Sequence, residues 1–130
     1  MREKILIVED DVPTAKLLEE NLRMRGFDIE IVMLAKEAIE KLEEIREGRA
    51  EKPDLILLDL ILPDMNGIEV LKEARKYPET QDIKIFALTN YTDPEMVKQL
   101  EKEKIDKVIL KAQISLKELV EIIRKEFQNR

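Results

Sequence analysis

The sequence predicts an α/β protein in which five parallel strands form one sheet with helices on both faces. Along the 130 residues, short apolar runs alternate five times with segments whose apolar residues recur at helical spacing. Parallel strands need crossovers, and right-handed crossovers place successive helices above or below the sheet. The length is that of one domain and too short for an eightfold β/α barrel. We therefore expect residues 1–130 to form a single three-layer α/β/α domain.

The first part of the chain predicts two strands and two helices. Residues 5–8 are a continuous apolar run, typical of a strand covered on both faces. A helix is predicted over residues 13–25, and Gly26 is suited to end it. Residues 27–32 alternate between apolar and charged side chains, which indicates a strand with one more exposed face. Residues 35–48 carry the apolar stripe of a second helix.

The third strand is predicted to be the centre of the sheet. Residues 54–59 contain four consecutive apolar side chains and end in Asp59. Residues 63–67 are dense in turn formers, and we expect Gly67 to be a turn and packing residue that supplies conformational freedom there. The third helix is predicted to follow over residues 68–77.

The last part of the chain predicts two strands and two helices. Residues 83–88 form the fourth strand, and Asp93 caps a fourth helix with a thin apolar stripe. Residues 107–110 form the fifth strand. Ser115 and Glu118 have the spacing of a capping box and open the fifth helix.

The composition excludes several kinds of chemistry. Cysteine and histidine are both absent, which excludes disulfides, thiol nucleophiles and metal sites of thiolate or imidazole ligands. The formal net charge of −6 disfavours DNA and anionic membrane surfaces as partners. The longest apolar stretch, residues 55–62, is too short to span a bilayer. We therefore expect a cytoplasmic protein that binds neither nucleic acid nor membrane.

Polar residues follow four of the five strands at their carboxyl ends. They are Glu9, Asp10 and Asp11 after the first strand, Asp59 at the end of the third, Thr89 and Asn90 after the fourth, and Lys111 after the fifth. Ligands of open parallel sheets bind at this edge. Two carboxylates about 4 Å apart repel by about 4 kcal/mol at an effective dielectric of 20, so such a cluster takes up protons or binds a cation. Oxygen ligands favour Mg²⁺, with Mn²⁺ as a substitute.

The same edge is suited to a phosphoryl group. Its oxygens would meet the metal ion, the Thr89 hydroxyl and the Lys111 ammonium group, while a central aspartate accepts the phosphorus and forms an acyl phosphate. Structural roles stay open for the same residues. Asp10 and Asp11 are also suited to cap the next helix, Thr89 to end a strand, and Lys111 to be a solvated cation.

Two segments resemble the receiver domains of two-component response regulators. Residues 5–11, ILIVEDD, are similar to that family's opening strand and acidic pair, and residues 57–67, LLDLILPDMNG, resemble its phosphorylation segment. Thr89 lies 30 residues after Asp59, and Lys111 lies 22 residues after Thr89, as the family pattern has them. The resemblance covers essentially the whole chain. It implies the flavodoxin-like topology, with strand order 2-1-3-4-5.

The resemblance also implies a function. Asp59 would accept a phosphoryl group from a histidine kinase or phosphotransfer protein, and Thr89 and Lys111 would bind the phosphoryl oxygens. The implied metal ligands are Asp10, Asp59, the backbone carbonyl of Ile61 and, through a water molecule, Glu9. Such a protein is not a conventional enzyme, although it catalyses its own phosphorylation and slow dephosphorylation. The fourth helix, fifth strand and fifth helix would contact an unknown downstream partner or form a weak dimer.

Two positions depart from the family pattern. Ala112 follows Lys111 where the family usually has a cis proline, and a non-proline cis bond is costly, so we expect a trans bond. Val108 stands where receivers generally carry an aromatic side chain that changes rotamer on activation. These departures favour an alternative function, a receiver-fold scaffold, natural or engineered, that has lost its switch and acts by protein contacts only.

Other functions fit the site less well. An aspartate-dependent phosphatase needs a second acid two residues after its nucleophile, and Ile61 occupies that position. A flavin protein needs a phosphate-binding loop rich in Ser, Thr or Gly after the first strand, which this sequence lacks. Within the receiver hypothesis, Ile61, Asn90 and Tyr91 flank the site, where they are placed to control water access.

Overall fold

The structure is a computed structural model and describes residues 2–90 and 93–128. They contain one five-stranded parallel sheet in the order β2-β1-β3-β4-β5, which confirms the predicted fold class and strand order. The strands are β1 (Lys4–Val8), β2 (Asp28–Val32), β3 (Leu55–Asp59), β4 (Lys84–Thr89) and β5 (Lys107–Leu110). The helices are α1 (Val12–Met24), α2 (Ala35–Arg46), α3 (Ile68–Arg75), α4 (Pro94–Lys102) and α5 (Leu116–Gln128).

The predicted elements are all present, and their bounds differ by a few residues at most. The main addition is a 3₁₀ turn, Lys111–Gln113, between β5 and α5. Helix ends shift more than strand ends because terminal turns lack part of their hydrogen bonding. In the described part of the chain, no helix combines the length and apolar character needed to cross a membrane.

The sheet separates two apolar clusters, one on each face. Alternate residues of a strand point to opposite faces, so Leu6 and Val8 pack towards α2 and α3, while Ile5 and Ile7 pack towards α1 and α5. All five residues of β3 are buried, as predicted for the central strand. Burial on both faces is why its sequence is a continuous apolar run rather than an alternating one.

The strand register brings the carboxyl ends of the strands to one level. Val8 of β1 pairs with Leu58 of β3, so the next residues of the two strands, Glu9 and Asp59, lie side by side at the end of the sheet. On the other side, Thr89 pairs with Leu110, and Lys111 follows directly. The ends of four strands that are far apart in the sequence therefore meet at one edge.

The opposite edge of the sheet is held by Arg75, at the end of α3. Its guanidinium, with a side chain only 9% exposed, donates hydrogen bonds to three backbone carbonyls and one carboxylate. The acceptors are the carbonyls of Gln81 (3.0 Å), Ile83 (2.8 Å) and Lys104 (3.0 Å) and the carboxylate of Asp106 (3.0 Å). One side chain thus joins α3 to the loops before β4 and β5.

Replacing Arg75 with methionine should strongly destabilise the fold. Arg75→Met keeps most of the volume but removes the guanidinium from the three carbonyls and from Asp106, which keeps its bond from the Ile85 N–H. Because the Asp106 side chain is 26% exposed, we expect a loss of about 2–3 kcal/mol, less than for a fully buried ion pair. The free energy of unfolding in urea measures the loss. Lys72→Met is the matched control, because Lys72 lies on the same helix, is 44% exposed and pairs only weakly with Glu69. Equal stability of the two variants would contradict this role of Arg75.

Candidate functional site

Three carboxylates meet at the carboxyl edge of the sheet. One oxygen from each of Glu9, Asp10 and Asp59 lies within 4.8 Å of the others. Glu9 and Asp59 are 1% and 6% exposed, whereas Asp10 is exposed to solvent. The charges of two buried carboxylates and a neighbouring third repel one another strongly, since little solvent screens them. The arrangement therefore requires a cation or protons.

Lys111 supplies part of the compensating charge. Its Nζ donates to Oε1 of Glu9 at 2.6 Å and to Oδ2 of Asp59 at 3.2 Å. Burial by itself lowers the pKa of Lys111, but the hydrogen bond to Glu9 and the negative charges of both carboxylates raise it above its ordinary value. Burial raises the pKa of Glu9, and the nearby Asp59 adds to this, while Lys111 opposes it. One ammonium group facing three carboxylates leaves the cluster negatively charged.

The two adjacent aspartates after β1 have different roles. Asp11 is the N-cap of α1, and one of its carboxylate oxygens accepts from the backbone N–H of Thr14 at 3.1 Å and also from the Thr14 hydroxyl. These bonds from Thr14 hold the pKa of Asp11 below its ordinary value. The backbone N–H of Asp11 donates to Glu9 at 3.1 Å. The capping role left open for both acids thus belongs to Asp11, and Asp10 joins the carboxylate cluster.

The loop after β3 lies tightly against the phosphoacceptor candidate. The backbone N–H of Ile61 donates to Oδ1 of Asp59 at 3.1 Å, and the N–H of Gly67 donates to the carbonyl of Leu60 at 2.8 Å. A Cβ at position 67 would lie 2.3 Å from the backbone oxygen of Asp59. Gly67 has an ordinary helical φ of −59°, so the expectation that it supplies conformational freedom is wrong. Glycine is needed there because the Asp59 backbone leaves no space for a side chain.

Asp64, in the same loop, caps a helix elsewhere in the chain. Its carboxylate accepts from the backbone N–H groups of Ala35 at 3.0 Å and Lys36 at 2.8 Å, at the start of α2. These N–H groups, that of Lys36 most strongly, lower the pKa of Asp64. The sequence indicated only a turn residue here. One signal in the sequence could have indicated the contact. Leu34, the N-cap of α2, has a side chain that cannot accept a hydrogen bond, so the first N–H groups of this helix need an acceptor from another segment.

The predicted residues differ in their access to the cleft. The cleft is lined by Glu9, Asp10, Asp11, Thr14, Asp59, Ile61, Asn90 and Lys111. Thr14 was not predicted, although a residue one turn into the helix that follows an acidic motif is well placed to reach the same edge. Thr89 lies at the end of β4 but is fully buried and is not among the lining residues. Tyr91 lies outside the described residues.

The two departures from the receiver pattern have simple structural outcomes. Within residues 2–90 and 93–128 all peptide bonds are trans, as expected for the bond between Lys111 and Ala112. Val108 is half-buried and packs, with Met96 and Ile105, against the apolar cluster that contains Leu100 of α4. A small aliphatic side chain, that of Val108, thus packs at the position where the family generally has an aromatic one.

Comparison with known protein families gives one consistent result. A family model described as the response regulator receiver domain matches residues 5–124. The DNA-binding response regulator MtrA of Mycobacterium tuberculosis (strain ATCC 25618 / H37Rv) is 40% identical over 93 residues. That alignment covers 72% of this chain and 37% of MtrA, so the matched part spans just over a third of the relative's length.

Solved structures agree over nearly the whole chain. The phosphorylated cyanobacterial phytochrome response regulator RcpA superposes with a TM-score of 0.82 at 28% identity, covering 96% of this chain and 91% of that one. The Mn²⁺-bound form of the response regulator Rcp1 has a TM-score of 0.80 at 27% identity, covering 95% and 90% of the two chains. Family match, strand order and structural similarity together show that this chain belongs to the receiver domain family of two-component response regulators.

Proposed function

We propose that the chain accepts a phosphoryl group on Asp59, with Mg²⁺ as the cofactor and Mn²⁺ as a substitute. The observation that carries the proposal is the meeting of Asp59 with Glu9, Asp10 and Lys111 in one open cleft. Asp59 is the carboxylate at its centre, because it contacts both the lysine and the loop that carries Ile61. The scaffold alternative is not favoured, since a module that acts by contacts alone has no need to keep this set of charges together.

The metal ligands in this proposal are the carboxylates of Asp10 and Asp59 and the backbone carbonyl of Ile61. All are oxygen ligands, which suits Mg²⁺ and Mn²⁺, and they leave positions for water and phosphoryl oxygens. Glu9 accepts hydrogen bonds from Lys111 and from the Asp11 N–H, so we place it around the ion rather than on it. Rcp1, which superposes on nearly the whole chain, has been solved with Mn²⁺ bound. When bound, the ion neutralises the carboxylates and the charge of the incoming phosphoryl group.

The phosphoryl donor in this proposal is a phosphohistidine on a histidine kinase or phosphotransfer protein, which the match to the receiver domain family supports. In the transfer, a carboxylate oxygen of Asp59 forms a bond to phosphorus as the bond between phosphorus and the imidazole nitrogen breaks. Lys111 moves its hydrogen bond from the Asp59 carboxylate to a phosphoryl oxygen. Thr89 is fully buried at the end of β4, so its hydroxyl would have to turn towards the cleft to bind a phosphoryl oxygen. Later attack by water releases phosphate, so the chain acts on itself and not on a separate substrate.

The wider context of the chain is also part of the proposal. We place the chain in the cytoplasm, with residues 1–130 as one domain and with α4, β5 and α5 as the surface for an unidentified downstream partner or a weak dimer. Direct binding of nucleic acid by this chain is not proposed. MtrA is a DNA-binding regulator, but the alignment covers 37% of it and the net charge here is −6.

Asparagine at position 59 should abolish phosphorylation. Incubation with acetyl phosphate and Mg²⁺ is expected to add the mass of one phosphoryl group to the wild-type chain and none to Asp59→Asn, because an amide is not a comparable nucleophile. Intact-mass spectrometry with and without Mg²⁺ measures this. Asp54→Asn is the control at the other end of β3, where Asp54 binds the N–H of Lys4, and it should be phosphorylated normally. A phosphorylated Asp59→Asn chain would contradict the assignment.

Mg²⁺ should stabilise the native chain through Asp10. An ion that binds only the folded state at 100 times its dissociation constant adds about 2.7 kcal/mol to the free energy of unfolding. Asp10→Asn should lose most of this gain while folding as well as wild type without metal, since Asp10 is exposed and removing its charge relieves repulsion. Urea denaturation with and without Mg²⁺ tests this. A full Mg²⁺ effect in Asp10→Asn would rule Asp10 out as a ligand.

Removing the lysine should make folding depend more strongly on the metal. Lys111→Met leaves Glu9 and Asp59 without their positive partner, and we expect a loss of about 2 kcal/mol in the absence of metal. Mg²⁺ should restore more stability to this variant than to wild type, because the ion replaces the missing charge. Lys125→Met, which changes an exposed lysine of α5, should leave stability nearly unaltered. Unchanged stability of metal-free Lys111→Met would show that the lysine does not compensate the cluster.

A further inference from the structure

Asp64 connects the site to a distant part of the chain. The first amides of any helix lack acceptors within that helix, and the N-cap of α2, Leu34, offers no side-chain acceptor. Asp64 fills this position from the loop after β3, with one carboxylate oxygen on each of Ala35 and Lys36. Both bonds have ordinary lengths, 3.0 Å and 2.8 Å, and one carboxylate satisfies both donors. The tip of the loop is thereby fastened to α2.

The fastened loop is the one that carries Ile61. It begins at Asp59, whose carboxylate accepts from the Ile61 N–H, and it closes on itself through a bridge between Ile61 and Asn66 and a bond from Gly67 to Leu60. Between these closing contacts, the tip is held by two anchors of different kinds. One is the side chain of Leu62, which is buried in the core cluster, and the other is the carboxylate of Asp64.

We propose that Asp64 is a positioning residue of the phosphoacceptor site, which holds the backbone carbonyl of Ile61 in place for a divalent cation by fastening the loop to α2. The proposal rests on the metal-ligand role given to Ile61 under the proposed function. A ligand group that is already fixed loses less conformational freedom when the ion binds. Contacts behind the ligands of a metal site commonly change its affinity by tenfold or more.

Coupling of this kind is reciprocal. If the Asp64 contacts to α2 favour binding of the ion, then binding of the ion must favour those contacts by the same factor. The N–H groups of Ala35 and Lys36 are therefore reporters of the site. Their hydrogen exchange should slow when Mg²⁺ saturates the wild-type chain.

The test compares Mg²⁺ affinity in Asp64 variants of the full chain. Isothermal titration calorimetry, at a temperature at which each variant is folded, should give a dissociation constant for Asp64→Ala about tenfold above wild type. Asp64→Asn keeps one acceptor oxygen and should lie between the two. It also replaces the alanine variant if that chain fails to fold.

Glu37→Gln is the matched control at the same helix end. Glu37 accepts from the N–H groups of Met33 and Leu34, both at 3.1 Å, and these are its hydrogen bonds in the described part of the chain. Weakening them should lower the melting temperature but leave Mg²⁺ affinity within twofold of wild type. A change in affinity in the Asp64 variants alone separates positioning of the carbonyl from general stability of α2.

Four results would overturn the proposal. Wild-type affinity in both Asp64 variants, or an equal loss in Glu37→Gln, would reduce Asp64 to a structural cap while leaving the phosphoacceptor function intact. Unchanged hydrogen exchange at Ala35 and Lys36 on saturation with Mg²⁺ would do the same without any variant. Failure of the wild-type chain to bind Mg²⁺ would instead remove the proposed function together with this inference.

Discussion

The carboxyl edge of this sheet is organised by the repulsion between acidic side chains that the fold itself brings together. The register of β1 with β3 places Glu9 next to Asp59, and both are almost completely buried. Lys111 is the cation that the fold supplies against them, but it cannot neutralise Asp10 as well. The fold thus maintains a site with unbalanced negative charge. Binding of a metal ion there is favourable because the ion relieves the repulsion between the carboxylates.

Charged groups are balanced at the amino edge of the sheet and unbalanced at its carboxyl edge. At the amino edge, the Arg75 guanidinium meets carbonyls and the Asp106 carboxylate, and Asp106 also accepts from the N–H of Ile85 at 2.7 Å, so charge and hydrogen bonding are satisfied together. At the carboxyl edge, Glu9 and Asp59 share a single ammonium group. A parallel sheet makes this division possible because all its strands end on the same side. One edge can be optimised for stability while the other stays open to ligands.

Most of the fold followed from the sequence because its signals are local. The apolar run that ends in Asp59 predicted the central strand, and the alternation of strand and helix patterns predicted the layers. The errors arose where a residue is constrained by parts of the chain far from it in sequence. The space at Gly67 is limited by the Asp59 backbone, and Asp64 binds amides 28 and 29 residues earlier. Thr14 reaches the cleft only because α1 begins beside it. No periodicity encodes such contacts.

The contact between Val108 and the core under α4 limits what a partner that binds this surface can recognise. Valine branches at Cβ, so its torsion has few alternatives, and its rotamers differ only in where one methyl group lies. The outer surface of β5 therefore keeps nearly the same shape whatever torsion this side chain adopts. A large aromatic ring at this position would instead change the surface when its rotamer moves it between a buried and an exposed position. A molecule that docks over α4 and β5 would have to sense the position of the main chain.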